Sequence, residues 1–243
     1  MSLGWLFGKK TTPAEPSSLL GRTAIPRDDE RAGPVPPPPP SAQRPGLSFH
    51  SFRGPFEGPA LKRVIRIVAG ERFPSLPSGS SLLVLSGTLH SEDGGPGLEA
   101  GDILVSLDAQ GTRYRNEASE PAVVLVDAAS VQEPADPHRI VRDDLVGKPF
   151  PGITGIRALS RNRSSVAVRL GPPPGARWVI VGLRSMAVFV GKITLIENDE
   201  PTDLTAGNLV LVADPTATLY LQAGNDAAVA LGFAATSVVV ALG

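Results

Sequence analysis

The sequence contains one pattern twice, and this internal repeat limits the possible folds more than any other feature. Short motifs recur in the same order and with nearly equal spacings, which chance matches of small residues do not explain. The chain after residue 46 is therefore predicted to be two tandem domains of one fold. The matched motifs are Gly70-Glu71-Arg72-Phe73 with Gly175-Ala176-Arg177-Trp178, Gly87-Thr88-Leu89 with Gly191-Lys192-Ile193, Leu98–Val105 with Leu204–Leu211, Thr112-Arg113-Tyr114 with Thr218-Leu219-Tyr220, and Ala122-Val123 with Ala228-Val229.

Both copies are predicted to be all-β. The chain contains 25 Pro and 26 Gly, and both residue types break or weaken a helix interior. Runs rich in Val, Leu and Ile alternate with turn residues about every ten residues, which is typical of a sandwich or barrel. The clusters at 92–95 and 197–201 predict hairpin turns, and His138–Leu145 predicts one or two helical turns. The predicted strands are Arg63–Ala69, Ser81–Leu89, Gly101–Leu107, Ala122–Asp127, Ser165–Leu170, Trp178–Leu183, Ala187–Ile196, Asn208–Ala213, Thr218–Ala223 and Val229–Phe233.

The N-terminal part has a different composition. Residues 1–10 form a short apolar peptide that carries Leu3, Trp5, Leu6 and Phe7. Residues 11–46 are rich in Pro and poor in aromatic residues, so we expect a disordered linker with a stiff polyproline segment. The remaining boundaries are predicted at 47–135 for the first domain, 136–160 for a connector and 161–243 for the second domain.

Several classes of protein are excluded by composition. The chain has no Cys, so it holds no disulfide framework, zinc ribbon, iron–sulfur cluster or cysteine nucleophile. Its 23 Lys and Arg residues balance 24 Asp and Glu residues, which provides no overall attraction to nucleic acid. Its apolar runs are too short for a membrane span and its first residues lack signal-peptide features. We expect a cytoplasmic protein without a nucleic-acid partner.

The segments Gly70–Pro74, Leu82–Leu89 and Leu98–Asp102 resemble the cupin superfamily, in particular duplicated bicupins of the ChrR-like type. The resemblance implies two double-stranded β-helix, or jelly-roll, domains. It also implies a metal site of two His and one Glu from a first motif and one His from a second. Residues without imidazole or carboxylate groups fill the matching places, so we predict degenerate metal sites and no cofactor. These places hold Ser75, Pro77, Ser81 and Tyr114 in the first copy, and Ile180, Gly182, Ser185 or Met186, and Tyr220 in the second.

Four aromatic residues are candidates for a ligand pocket. Tyr114 and Tyr220 are the two tyrosines of the chain and are in register in the repeat. If they point into the barrels, they are either polar groups for a small organic ligand or core residues in place of a lost metal. Phe73 and Trp178 are also in register, as core aromatics or as ligand platforms.

The leading hypothesis is a non-catalytic bicupin, a pseudo-enzyme that acts as a binding or structural protein. Its apolar residues 3–8 are expected to dock it to a larger partner or assembly, and the alternative is a tail that folds back onto its own barrel or frays. One alternative is a metal-dependent cupin enzyme, an isomerase or dioxygenase, that recruits His90 with Glu92 or Glu117. Another is a sensor that binds a small organic molecule in one barrel.

Overall fold

In the computed structural model of the chain, the described residues are 46–52, 54–56, 58–74, 76–77, 79–105, 113–128, 139–141, 148–149, 155–161 and 165–242. The N-terminal peptide with Leu3, Trp5, Leu6 and Phe7, nearly all of the Pro-rich segment and Ser75 lie outside them. In the described part, the one helix is a five-residue 3-10 helix (Gly58–Lys62), and no helix is long and apolar enough to cross a membrane.

The described residues are otherwise organised in short strands, which confirms the all-β prediction. The strands are β1 (Leu47–Ser51), β2 (Val64–Ile67), β3 (Ser81–Ser86), β4 (Thr88–Ser91), β5 (Leu98–Glu99), β6 (Ile103–Val105), β7 (Tyr114–Arg115), β8 (Ala122–Asp127), β9 (Arg139–Val141), β10 (Lys148–Pro149), β11 (Ile156–Arg161), β12 (Ser165–Leu170), β13 (Arg177–Val190), β14 (Lys192–Glu197), β15 (Glu200–Thr205), β16 (Asn208–Val212), β17 (Thr218–Ala223) and β18 (Val229–Leu242).

The two copies form two antiparallel barrels that differ in how their sheets connect. The first barrel has a five-stranded sheet, β2-β8-β3-β6-β9, and a three-stranded sheet, β5-β4-β7. The second barrel is one ten-stranded sheet, because β13 and β18 pair along most of their length and reach both sides of the barrel. The predicted strands Trp178–Leu183 and Ala187–Ile196 have other bounds in the structure. Strand β13 continues without a break to Val190, and the turn to β14 falls at Gly191. Gly182, with φ 99°, lies at a bulge that bends β13 without ending its pairing with β18.

The predicted hairpin turns are confirmed. Asn198 and Asp199 have φ values of 51° and 62° and join β14 to β15, with Glu197 opposite Glu200. Positive φ at both central residues is the geometry that two-residue hairpins need, and Asn and Asp tolerate it best among non-Gly residues. The cluster at 92–95 likewise joins β4 to β5.

Some strands cross the predicted domain boundaries. Strand β1 lies at the start of the predicted first domain but pairs with β16 of the second barrel. The predicted connector supplies β9 to the first barrel, and β10 and most of β11 to the second. Residues 139–141 of the predicted helical turn are strand, and the other residues of that turn are outside the described part. Each barrel therefore draws on segments that are distant in sequence.

The two barrels share close contacts between glycines and neighbouring backbone, which we call the glycine joints. A Cβ on Gly87 would lie 2.7 Å from Ala122 Cα, and one on Gly191 would lie 3.0 Å from Ala228 Cα. Both glycines also have positive φ, 77° and 70°. Each joint thus needs glycine twice over, for its φ and for the close approach of two chains.

The second glycine joint that the barrels share lies at Gly101 in the first copy and at Gly207 in the second. The Gly101 N–H donates to the Val84 carbonyl at 2.8 Å, and the Gly207 N–H donates to the Val188 carbonyl at 2.8 Å. The next side chain caps each turn, since Asp102 accepts from the Glu99 N–H at 3.0 Å and Asn208 accepts from the Thr205 N–H at 2.8 Å. Two unlike residues, one charged and one neutral, therefore perform one structural role.

The apolar side chains form three cores, one inside each barrel and one between the barrels. On β3, Leu82 and Val84 face the first barrel interior, while Leu83 and Leu85 face the second barrel. On β13, Met186 and Val188 face the second interior, while Ala187 and Phe189 face the first barrel. Strands buried on both faces read as continuous apolar runs.

Candidate functional sites in the two barrels

Tyr114 lies inside the first barrel. Its residue is 1% exposed and packs in the core with Leu89 and Leu98. Burial raises the pKa of the phenol, and the negative charges of Asp102 and Asp93 raise it further. Asp102 is itself 6% exposed. The first barrel therefore combines a buried phenol and a buried carboxylate with an apolar interior.

Tyr220 has a different environment from Tyr114. Its neighbours Leu219 and Leu221 are fully buried in the second core, so Tyr220 lies on the opposite, outer face of β17. The guanidinium carbon of Arg177 lies 5.1 Å from the centre of the Tyr220 ring. The expectation that Tyr220 points into the barrel is therefore wrong.

The cross-strand register explains the error. Tyr114 lies opposite Ser91, and its carbonyl accepts a hydrogen bond from the Phe73 N–H at 2.8 Å. In the second barrel the residue opposite both Leu195 and Trp178 is Leu221. Since Ser91 matches Leu195 and Phe73 matches Trp178, Tyr114 matches Leu221 and not Tyr220. A slip of one residue in a strand turns every side chain to the other face.

Phe73 and Trp178 keep their predicted equivalence. Trp178 is fully buried and packs with Ile180 and Leu221 in the second core. Phe73 is partly buried and packs against the first core. The structure places both as barrel aromatics, while a role in ligand binding stays a prediction.

The residues at the cupin metal-ligand places have varied surroundings. Pro77 is exposed, and Ser81 is 2% exposed at the start of β3. In the second copy Ile180 and Met186 belong to the barrel core. Ser185 is fully buried, and its hydroxyl oxygen makes no hydrogen bond. Among the residues that the structure describes, no three His, Asp or Glu side chains are grouped to hold a metal ion.

His90, the proposed ligand of the enzyme alternative, lies outside the first barrel. Its side chain is 54% exposed, and its Nδ1 atom is 3.9 Å from a Glu117 carboxylate oxygen. Leu89, one residue earlier, is the one that faces the interior. Glu92 instead contacts Arg72 at 2.9 Å and Arg115 at 3.1 Å. The requirement that His90 points into the barrel with two acids is not met.

An ion cluster around one buried carboxylate, which the sequence did not indicate, lies where the barrels meet. Asp127 on β8 is 6% exposed, and its two carboxylate oxygens lie 3.7 Å from Arg63 Nη2 and 3.3 Å from Arg184 Nη1. Arg63 also donates to the Arg184 carbonyl at 2.9 Å. Burial lowers the Arg63 pKa, while Asp127 acts in the opposite direction. One carboxylate from the first barrel thus joins the two barrels through a pair of arginines.

The outer sheet of the second barrel has an apolar surface that was not among the sites predicted from the sequence. Directly opposite residues across four strands are Ala241, Val179, Tyr220 and Ile196, and all lie on the outer face. The alternation of predicted strands contained the signal, because Val179 and Val181 are apolar on the face away from Trp178 and Ile180.

No protein-family model and no curated protein matches the sequence. A solved structure of a glyoxylate-induced protein from Pseudomonas aeruginosa matches with a TM-score of 0.54 and 11% sequence identity, covering 81% of this chain and 79% of that chain. A salicylate 1,2-dioxygenase from Pseudaminobacter salicylatoxidans matches with a TM-score of 0.49 and 14% identity, covering 74% of each chain. The chain has the fold of the cupin superfamily, in two copies. At such identities the likeness shows the fold alone, and the ChrR-like type stays a prediction.

Proposed function

We propose that the chain is a non-catalytic bicupin that acts as a binding or structural protein through its surfaces. The observation that supports this function is the interior of the second barrel. Ile180, Met186 and Leu221, which occupy or match metal-ligand places of the cupin pattern, are at most 1% exposed and belong to the same apolar core as Trp178. These side chains provide neither the imidazole nor the carboxylate donors that divalent metals prefer.

A direct measurement of bound metal tests this proposal. The full chain is incubated with Fe(II), Mn(II), Zn(II) or Ni(II), dialysed, and analysed for metal per chain. We expect well below one equivalent for each metal. One equivalent that survives dialysis would contradict the proposal. Its loss in His90→Ala would support the enzyme alternative, an isomerase or dioxygenase that recruits His90, and its retention would place the metal at another site of the chain.

The first barrel supports a second candidate function, the sensor. The buried Tyr114 phenol and the Asp102 carboxylate are polar groups of the kind that orient a small ligand in an apolar site. A screen of small organic molecules would then find one that raises the melting temperature of the full chain. The same molecule should have a much smaller effect on Tyr114→Phe, which keeps the ring and removes the hydroxyl.

The apolar N-terminal peptide is proposed to dock the protein to a larger partner. Trp5 and Phe7 provide aromatic anchors, which carry much of the binding energy in interfaces, and Leu3 and Leu6 add apolar area. Crosslinking of the full chain and of a Trp5→Ala, Phe7→Ala variant, followed by identification of the crosslinked peptides, tests this role. An identical set of crosslinked partners for both forms would contradict it.

A further inference from the structure

The second barrel has an exposed sheet surface that its own core does not need. We define the apolar outer face as Val179, Val181, Ile196, Tyr220, Val239 and Ala241. Cross-strand pairing places Val181 opposite Val239, and Val179 opposite both Ala241 and Tyr220. Val239 is 60% exposed, and Val179, Val181, Ile196 and Tyr220 are half-buried. Contiguous apolar surface that is at least partly exposed marks interaction sites.

The apolar outer face ends at an open sheet edge. Residues Val239–Leu242 of β18 pair with Trp178–Val181 on one side, and within the described part of the chain no strand pairs with their other side. The segment from Ser237 to Leu242 contains no charged residue and no Pro. Protein edges are normally protected by charges, Pro or bulges, so an edge without them is suited to receive another strand.

The size of this surface favours a short peptide over a second copy of the chain. Four strands about 4.8 Å apart and about three residues of about 3.3 Å each along a strand give a surface of roughly 20 by 10 Å. This is about a quarter of the ~800 Å² per partner that a standard interface buries. An extended peptide of about five residues covers the open edge Val239–Leu242, and it would add main-chain hydrogen bonds to apolar contacts.

We infer that the apolar outer face and the open edge of β18 bind the chain's own N-terminal peptide, Leu3–Phe7. The peptide is apolar, and Lys9 and Lys10 follow it. The hairpin beside Ile196 carries Glu197, Asp199 and Glu200, so an acidic rim lies on the β14 side of the face, three strand spacings from the open edge of β18. A peptide bound at that edge reaches the rim when Lys9 and Lys10 extend across the face. The charges of peptide and rim are complementary.

The connecting segment allows this contact within one chain. Residues 8–45 form a linker of about 38 residues, whose mean span is about 35 Å if it behaves as a flexible coil. Such a tether gives the peptide an effective concentration on the order of millimolar, so a weak affinity is sufficient. This inference deepens the proposed function, because a partner that binds the peptide would have to displace it from the barrel.

Tryptophan fluorescence of the full chain tests the contact. The chain contains two tryptophans, and Trp178 is fully buried. Acrylamide quenching of Trp5 is obtained by subtracting the signal of Trp5→Phe. We expect quenching of Trp5 to increase about twofold or more in Val239→Lys, which places a charge on the face, and to stay unchanged in Val68→Lys. Val68 is the matched control, an apolar residue of the first barrel with 44% exposure.

The fold of each variant is checked by the emission of Trp178, and Ile196→Glu is the second variant if Val239→Lys does not fold. Equal quenching of Trp5 in the unaltered chain and in both face variants would overturn the inference. Protection of Trp5 that increases with protein concentration would also overturn it, because the peptide would then bind a second copy. If the Trp5→Ala, Phe7→Ala variant loses crosslinked partners but Trp5 of the unaltered chain is not protected from quenching, only the contact within the chain is contradicted. If Trp5 is protected but no partner is crosslinked, only the proposed docking function is contradicted.

Discussion

The outer sheets of the two barrels have the same strand order and opposite surface chemistry. In the first barrel Arg72, Glu92 and Arg115 form a charged cluster on the outer face. The matching residues of the second barrel are Arg177, Ile196 and Gln222, where one arginine lies over Tyr220 and the other charges are gone. The difference shows that the residues on the outer face can differ between the copies while the barrel fold stays the same.

The two faces also differ in what they permit. Charged side chains on an exposed sheet oppose strand addition and aggregation, so the first barrel is protected. On the second outer sheet Arg177 lies over Tyr220 and the Lys192–Asp203 pair lies at the β15 edge. The residues of the apolar outer face itself carry no charge, so this face is suited to bind an apolar partner. The following predictions test how far the two barrels are equivalent and where they differ.

The largest effect is expected at the joints that both barrels share. Gly191→Ala would place a Cβ 2.2 Å from the Ala227 carbonyl oxygen at a positive φ, so we expect a loss of roughly 3 kcal/mol or more in the free energy of unfolding. Gly87→Ala should behave similarly. Gly175→Ala has the same sign of φ but open space around the new Cβ, and it should cost about 1–2 kcal/mol. Urea unfolding of the three variants measures the difference, and equal costs would show that the shared joints are not close-packed.

A smaller loss is expected at the ion cluster that joins the barrels. Asp127→Asn would leave Arg63 and Arg184 without their carboxylate partner. Because both arginines are partly exposed, we expect a loss of about 1–3 kcal/mol. A double-mutant cycle with Arg184→Met isolates the pair. A coupling energy of zero would mean that the apolar interface alone holds the two barrels together.

The unequal environments of the two tyrosines can be tested by titration. Tyr220→Phe leaves Tyr114 as the remaining tyrosine, so the phenol absorbance reports one group. We expect a pKa above the ordinary value of 10.0, chiefly because burial disfavours the phenolate. The raised pKa means that the folded state favours the neutral phenol. This contribution to stability is present below pH 10 and is lost as the pH rises through the folded pKa. A titration that coincides with that of the urea-unfolded chain would contradict the buried position.

The smallest effect is expected at an ion pair on the edge of the second outer sheet. Asp203 accepts from Lys192 at 2.6 Å and from Thr194 at 2.7 Å, and these hydrogen bonds lower its pKa. Its contribution to stability is therefore full at neutral pH and is lost as the pH falls below about 3.8, through the lower folded pKa. Both side chains are about half exposed, so Asp203→Asn should cost less than about 1 kcal/mol at pH 7. The difference from the unaltered chain should vanish near pH 2, which unfolding curves at both pH values would show.

Local features of the sequence were sufficient to predict the duplication and many of the strands, although the predicted Ser81–Leu89 is divided at Gly87 and β1, β11 and β15 were not predicted. Ala122–Asp127, Ser165–Leu170 and Thr218–Ala223 were predicted with the bounds that the structure shows. The repeat also matched Gly87 with Gly191, the glycines of the first joint, because positive φ and close approach require one residue type in both copies. The predicted turn at 197–201 has the same basis, since few residues adopt its backbone angles.

Tertiary structure decided which residues meet. The side of the sheet on which Tyr220 lies depends on a one-residue difference between the copies, and the motif spacing alone cannot reveal it. The pairing of β1 with β16 and the cluster of Asp127 with Arg63 and Arg184 join residues far apart in sequence. Propensity and turn chemistry act over a few residues and can be read from the chain, whereas register, strand partners and the chemistry of the two outer faces are selected by packing across the whole fold.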